Sequence, residues 1–386
     1  MTPTERRRAG KLLLALLGPR RTGTDAVSER EWRAIMALAR EHRLGPHLHG
    51  QLRRAGDALA IPTFVASEWA DAYRTNALTV LAQRQAMVAA LTVLQEERIA
   101  AVALKGAGMA WTVWPAPAER VMRDLDLLVP QDQAVRAYRA LQAAGWSGPS
   151  MASGDLETMA RSETHLPPLV SPQGVALELH GHVWRSAPMP GGTMPTCDST
   201  GFLDRAQWSD AAGARIPSAE DMLAHLIVHT ASSHLFNVGP LALADVDYWL
   251  AANPIDWPAF WRRAETEGFA RPAALVLALT DRWRRPSLLA EAGVPSLPPE
   301  QVVDEAEALL FQDVAARKDV NLIADLRGGL AAAGRRTRRH HLDVHPGKSR
   351  GAELVQRGLS VARSLGDRSS LESGLATHRV ARWLGG

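Results

Sequence analysis

The chain has 386 residues, 46% of them apolar and 22% charged, with a formal net charge of +3. That length is more than one core usually organises, so two or three packed units are expected, and the apolar fraction excludes a chain disordered over most of its length. The single cysteine, Cys197, excludes an intramolecular disulfide and a multi-cysteine zinc site, which suits a reducing, cytoplasmic setting.

The small, arginine-rich basic excess admits an anionic partner such as a nucleotide or RNA. Near the start, Arg6-Arg7-Arg8 precedes the apolar run Leu12 to Leu17. The run is short and no small-residue cleavage pattern follows, so it reads as a helix passing from surface to core and not as a targeting signal. No stretch approaches the uninterrupted apolar length that spans a bilayer, and no membrane partner is expected.

The first hundred residues carry helical periodicity. Ser28 and Glu31 have capping-box spacing, and Trp32, Ile35, Met36 and Ala39 follow as an apolar stripe, which predicts a helix from about Ser28 to His42. Gly45-Pro46 breaks it before a shorter helix that holds Leu48 and Leu52. From Pro62 to Arg98 no glycine or proline intervenes, so one long helix, or two, is expected. The middle region mixes elements. Ala100–Leu104 reads as an apolar strand, Lys105-Gly106-Ala107-Gly108 turns out of it into a helix with Trp111 and Trp114, and Met122–Val129 reads as a second strand. A helix from Gln131 to Ala144 stops at Gly145. Val175–Trp184 alternates as a strand whose polar face carries Glu178, His180 and His182.

From Ser218 onward the pattern is helical. Ser218 and Asp221 cap a helix carrying His225 and His229, with His234 near its end but rotated away. Helices are expected over Leu241–Leu250, Asp256–Glu267, Pro272–Trp283, Glu300–Phe311 and Val320–Ala333, with Asp245 and Asp247 as surface or capping charges. A basic run, Arg335–His341, precedes a last helical tract from about Glu353 to Leu384. The expected organisation is α+β: a helical region over 1–98, a small mixed α/β core over 99–204, and a second helical region over 205–386.

The chemistry concentrates around Asp124 and Asp126. Side chains alternate along a strand, so the two carboxylates project from one face while Leu125 and Leu127 project from the other. Like charges that close repel, and a cation between them relieves the repulsion. The pair is therefore either a metal-holding edge or an ordinary polar strand face.

Leu104-Lys105-Gly106, Arg120, and Asp124-Leu125-Asp126-Leu127-Leu128-Val129 together resemble the hallmark of an uncharacterised bacterial nucleotidyltransferase family, within the superfamily typified by DNA polymerase β. The likeness extends to Ala39-Arg40-Glu41-His42-Arg43, to Leu177-Glu178-Leu179-His180 and to the His225/His229 helix, covering roughly residues 28–250. It departs from the superfamily's minimal members in having Gly106-Ala107 where a Gly-Ser or Gly-Gly pair is usual. The resemblance implies a small mixed-sheet nucleotidyltransferase core and a magnesium- and nucleotide-dependent reaction. In that reaction a nucleoside monophosphate passes from an NTP such as ATP to a hydroxyl or phosphate acceptor, with release of pyrophosphate.

By that resemblance Asp124 and Asp126 bind two Mg²⁺ ions, Glu178 is the third carboxylate, and Lys105, Gly106 and Arg120 meet the phosphates. The acceptor stays open among a small molecule, a modified peptide and RNA. Two rivals stand beside this: a catalytically silent nucleotide- or peptide-binding module, and a toxin-like nucleotidyltransferase acting on tRNA or protein. His225 and His229, four apart on a helix, suit packing or a nucleotide contact better than zinc, because no third ligand falls at useful spacing.

Overall fold

The computed structural model describes residues 2–19, 27–56, 59–186, 188–189, 192–193, 195–312 and 368–386. The expected helix at Val320–Ala333, the basic run Arg335–His341 and the first half of the last helical tract lie outside them. The N-terminal helices are α1 (Pro3–Leu17), α2 (Glu29–Glu41), α3 (Gly45–Ala55) and α4 (Thr63–Glu96). The capping box expected at Ser28 is formed: Glu31 N–H donates to the Ser28 hydroxyl, and Ser28 N–H donates to the Glu31 carboxylate at 2.9 Å. Trp32, Ile35, Met36 and Ala39 are all buried on the inner face of α2.

By length and composition alone, α4 is able to cross a bilayer, contrary to the expectation that no stretch is. Here it packs along α3 and the turn Pro117–Glu119, and its buried face includes two amides as well as Val65, Trp69, Met87 and Leu94. Asn76 donates to the Ala118 carbonyl at 2.8 Å and Gln83 to the Met122 carbonyl at 3.0 Å. These two bonds tie residues 118–122, just ahead of Asp124, to a long rigid strut. A buried amide is retained where it satisfies a loop carbonyl that no strand or helix pairs.

The sheet is built from β1 (Val102–Ala103), β2 (Leu125–Leu128), β3 (Leu169–Val170), β4 (Ala176–His180), β7 (Gln207–Ser209) and β8 (Ala214–Ile216); β5 (Pro188–Met189) and β6 (Gly192–Thr193) form a separate hairpin. Its order is β3-β4-β2-β1-β8-β7, with β2–β4 and β1–β8 parallel and the other pairs antiparallel. The sheet therefore runs past residue 204, because β7 and β8 return to the free edge of β1. The β1 and β2 strands are shorter than their apolar runs, since Leu104, still extended, is already the N-cap of the helix that follows and Asp124 lies in a bend.

One face of the sheet presents Leu125, Leu127, Leu177 and Leu179 to α6 (Ala134–Ala143), α7 (Ser153–Ser162) and the last turns of α4. Fully burying each such leucine stabilises the fold by roughly 1.5–3 kcal/mol. The opposite face carries Asp126, Leu128, Glu178 and His180 toward α9 (Ala219–Val228). There a larger core joins α1–α3 to α9, α10 (Leu241–Ala252), α11 (Trp257–Glu267), α12 (Ala270–Trp283), α14 (Glu300–Leu309) and the C-terminal helix Arg368–Gly385. The N- and C-terminal helical regions thus share one interior.

Candidate active site

Asp126 and Glu178 are register partners on the parallel strands β2 and β4. Side chains of paired residues in adjacent strands leave the same face. His180, two residues on, leaves that face as well, and its Nε2–H donates to Asp126 Oδ1 at 2.8 Å while lying 3.8 Å from Glu178 Oε2. Lys105 Nζ reaches the same Asp126 oxygen at 2.9 Å. It does so from a left-handed turn, with φ of 44°, between β1 and the five-residue helix α5 (Lys105–Met109). Non-glycine residues are held in that conformation only where their surroundings enforce it, commonly at functional sites. From the edge beyond β4, His165 places Nε2 3.5 Å from Glu178 Oε2.

Electrostatics separates the three carboxylates. Burial would raise the Asp126 carboxyl, but Lys105 and His180 outweigh it and hold it well below the usual range, so it is ionised. Asp124 is pushed up, first by burial and then by Asp126. Glu178 is pushed up by burial, with His165 opposing and Asp126 reinforcing the shift. Burial also depresses His180 despite its bond to Asp126, which leaves the ring neutral.

These groups line a cavity of about 530 Å³ between the sheet and the helices. Lys105, Gly106, Arg120, Asp124, Asp126 and Glu178, the six residues singled out in the sequence, all reach its wall. Asp126, Glu178 and His180 can hold a metal, since one ligand atom from each lies within 4.8 Å of the others. His180 takes the place in that group that the sequence reading gave to Asp124, which lines the cavity close by. Alternation along a strand shows the face that His180 shares with Glu178 and not its distance to a residue 54 positions away.

Arg120 is engaged with the protein. Its Nε and Nη2 donate to the two oxygens of Asp245 at 2.8 and 2.7 Å, and its Nη1 donates to the Val121 carbonyl. Asp245, expected at the surface, is 4% exposed and also accepts from Trp114 Nε1 at 2.9 Å. Asp247, also expected outside, accepts from Arg284 at 3.0 Å. Gly106 is needed for space: a Cβ there would lie 2.7 Å from Met122 Cγ.

His225 and His229 form part of the wall, with ring centroids 5.9 Å apart. His234 does not rotate away, because the turn His229–Ser233 is a π-helix, and it brings the His234 ring to 4.4 Å from His229. His225 is buried, stacked at 6.2 Å on Trp184, and neither of its ring nitrogens has a partner among the described residues. Arg43, Arg123 and Arg185, to which the sequence assigned no role at the site, add positive charge to the same wall.

Asp126 and Glu178 on adjacent strands, with Lys105 beside them on the same cavity wall, give this α/β core a donor set that could hold a metal ion. The chain belongs to the family described as an uncharacterised nucleotidyltransferase, which it matches over residues 28–285. That membership supports nucleotidyl transfer as the class of reaction and implies a nucleoside triphosphate as substrate. No curated protein and no solved structure matches the chain.

Proposed function

We propose that the protein is a divalent-metal-dependent nucleotidyltransferase that moves a nucleoside monophosphate from an NTP to a hydroxyl or phosphate acceptor and releases pyrophosphate. The observation that carries this is the register pairing of Asp126 with Glu178, with Asp124 and Lys105 on the same cavity. The donor set fits a divalent cation, because it offers converging carboxylate oxygens in a polar pocket. Two ions, Mg²⁺ among them, would be held by Asp124, Asp126 and Glu178, and would supply charge neutralisation and a more acidic acceptor hydroxyl.

The chain's own residues do the rest. Lys105 sits at Asp126 Oδ1, within reach of an incoming phosphate, and is the cation that a triphosphate displaces from its carboxylate. Arg185, which lines the cavity and has its Nη1 buried without a partner among the described residues, offers a second phosphate contact. Arg120 adds positive field from the wall while its grip on Asp245 fixes the segment that leads into Asp124. Glu178 is the third carboxylate of the set, with His165 Nε2 3.5 Å from its Oε2 on the far side.

The test is transfer from NTPs labelled at the α-phosphate to a panel of small alcohols, peptides and RNA. Label retained on an acceptor, with pyrophosphate released, is the expected result. Nucleotide binding with no label transferred to any acceptor identifies a silent binding module instead.

A further inference from the structure

We propose that one of the two ions is bound through an imidazole as well as carboxylates, by Asp126, Glu178 and His180, and that this position selects a first-row transition ion such as Mn²⁺ over Mg²⁺. The inference rests on the metal-dependent reading above but concerns which ion the site holds.

Three observations carry it. The ligand atoms converge on one point: neighbouring ligands on an octahedral ion with bonds of about 2.1 Å sit about 3.0 Å apart, His180 Nε2 lies 2.8 Å from Asp126 Oδ1 and 3.8 Å from Glu178 Oε2, and one ligand atom from each of the three lies within 4.8 Å of the others, so closing on an ion needs a small inward shift of Glu178. The histidine is 3% exposed, on a strand whose register with β2 fixes its direction, so its nitrogen is aimed at the carboxylates by the backbone. Its other nitrogen, Nδ1, has no partner among the described residues. The ring proton that Nε2 now donates to Asp126 can therefore reside on Nδ1, leaving the Nε2 lone pair for a metal. That exchange of tautomers is neutral overall and needs no change of net charge.

Imidazole nitrogen is a poor ligand for Mg²⁺, which takes oxygen, and a good one for first-row transition ions. The oxygen-only position beside Asp124 then falls to the Mg²⁺ that accompanies the triphosphate. His165, 3.5 Å from Glu178, orients that carboxylate from outside and is not a ligand.

The experiment is electron paramagnetic resonance on the full chain titrated with Mn²⁺ in the absence of nucleotide. Expected are a bound Mn²⁺ with nitrogen coupling in pulsed spectra, a change in that coupling when histidines carry ¹⁵N, and displacement by Mg²⁺ only at about tenfold or greater excess. In His180→Gln the nitrogen coupling disappears and Mn²⁺ binding weakens about tenfold or more, while His165→Gln keeps the coupling. The ¹⁵N experiment needs no variant, so it shows whether a histidine is a ligand even where His180→Gln fails to fold, and coupling retained in His165→Gln, His225→Gln and His229→Gln then leaves His180 as that histidine. Bound Mn²⁺ without nitrogen coupling, coupling retained in His180→Gln, or displacement by equimolar Mg²⁺ would overturn the proposal. Nitrogen-coupled Mn²⁺ in a protein that transfers no nucleotide would leave this site standing and remove the catalytic reading instead.

Discussion

Arg120 and Asp245 face each other through two hydrogen bonds of 2.8 and 2.7 Å, joining the segment that leads into the carboxylate strand to a helix 125 residues further along. Both side chains are mostly buried. The site is thus clamped from the helical C-terminal region, and the pocket wall and the strand move as one body.

Arg120→Ala leaves Asp245 buried with Trp114 as its one remaining donor among the described residues. Breaking a buried pair from one side costs about 3 kcal/mol, and removing both partners costs less than the sum. Denaturant unfolding of Arg120→Ala, Asp245→Ala and the double variant should give a coupling of about 2 kcal/mol. Strictly additive losses would show that the pair does not act as a clamp.

His47 offers a pH prediction. It is fully buried, its Nδ1–H donates to Glu119 at 3.0 Å, and burial outweighs Glu119 to lower its pKa from 6.5 to about 4. The folded protein then binds fewer protons than the unfolded chain between those values. Its contribution is complete above pH 6.5 and is lost as pH falls toward 4, by about 3 kcal/mol. Unfolding free energy measured between pH 7 and 4 should fall more steeply in the natural protein than in His47→Gln. Part of the remaining slope comes from His180, His225 and His229, which burial also depresses.

Gly106→Ala drives a methyl group against Met122, 2.7 Å from its Cγ. Overpacking of this kind costs about 1–3 kcal/mol. It also moves Lys105 or Met122, so turnover falls with stability. In a Met122→Ala background the space exists, and the added cost of Gly106→Ala should shrink toward zero in thermal unfolding. An unchanged cost would place the strain elsewhere.

Local features were legible in the sequence. The Ser28 cap, the inner face of α2, the Ser218 cap and the alternation that puts Glu178 and His180 on one face all follow from neighbours a few positions apart. Relationships across the chain were not. Nothing local tells that β4 pairs with β2 so that Glu178 meets Asp126, since register is set by how the leucines of both strands fill the core beneath. Asp245 looks like a surface charge on a helix until its partner, 125 residues earlier, is in view. The β7–β8 hairpin was missed because its strands are three residues each and carry Gln207, Ser209 and Arg215, too short and polar to show a period. His234 was misplaced because a π-turn changes the angle per residue, and that turn leaves no mark in composition.

The most direct measurement is pyrophosphate release from labelled NTPs by the natural protein, Asp126→Asn and Glu178→Gln, each with divalent metal and with chelator. Both substitutions keep side-chain size and one acceptor oxygen, which at Asp126 suffices for His180 and Lys105, so the fold should persist. The account predicts metal-dependent release by the natural protein that falls by about 10³-fold in Asp126→Asn and at least about tenfold in Glu178→Gln. Release that survives in Asp126→Asn, or that chelator leaves unchanged, would contradict it.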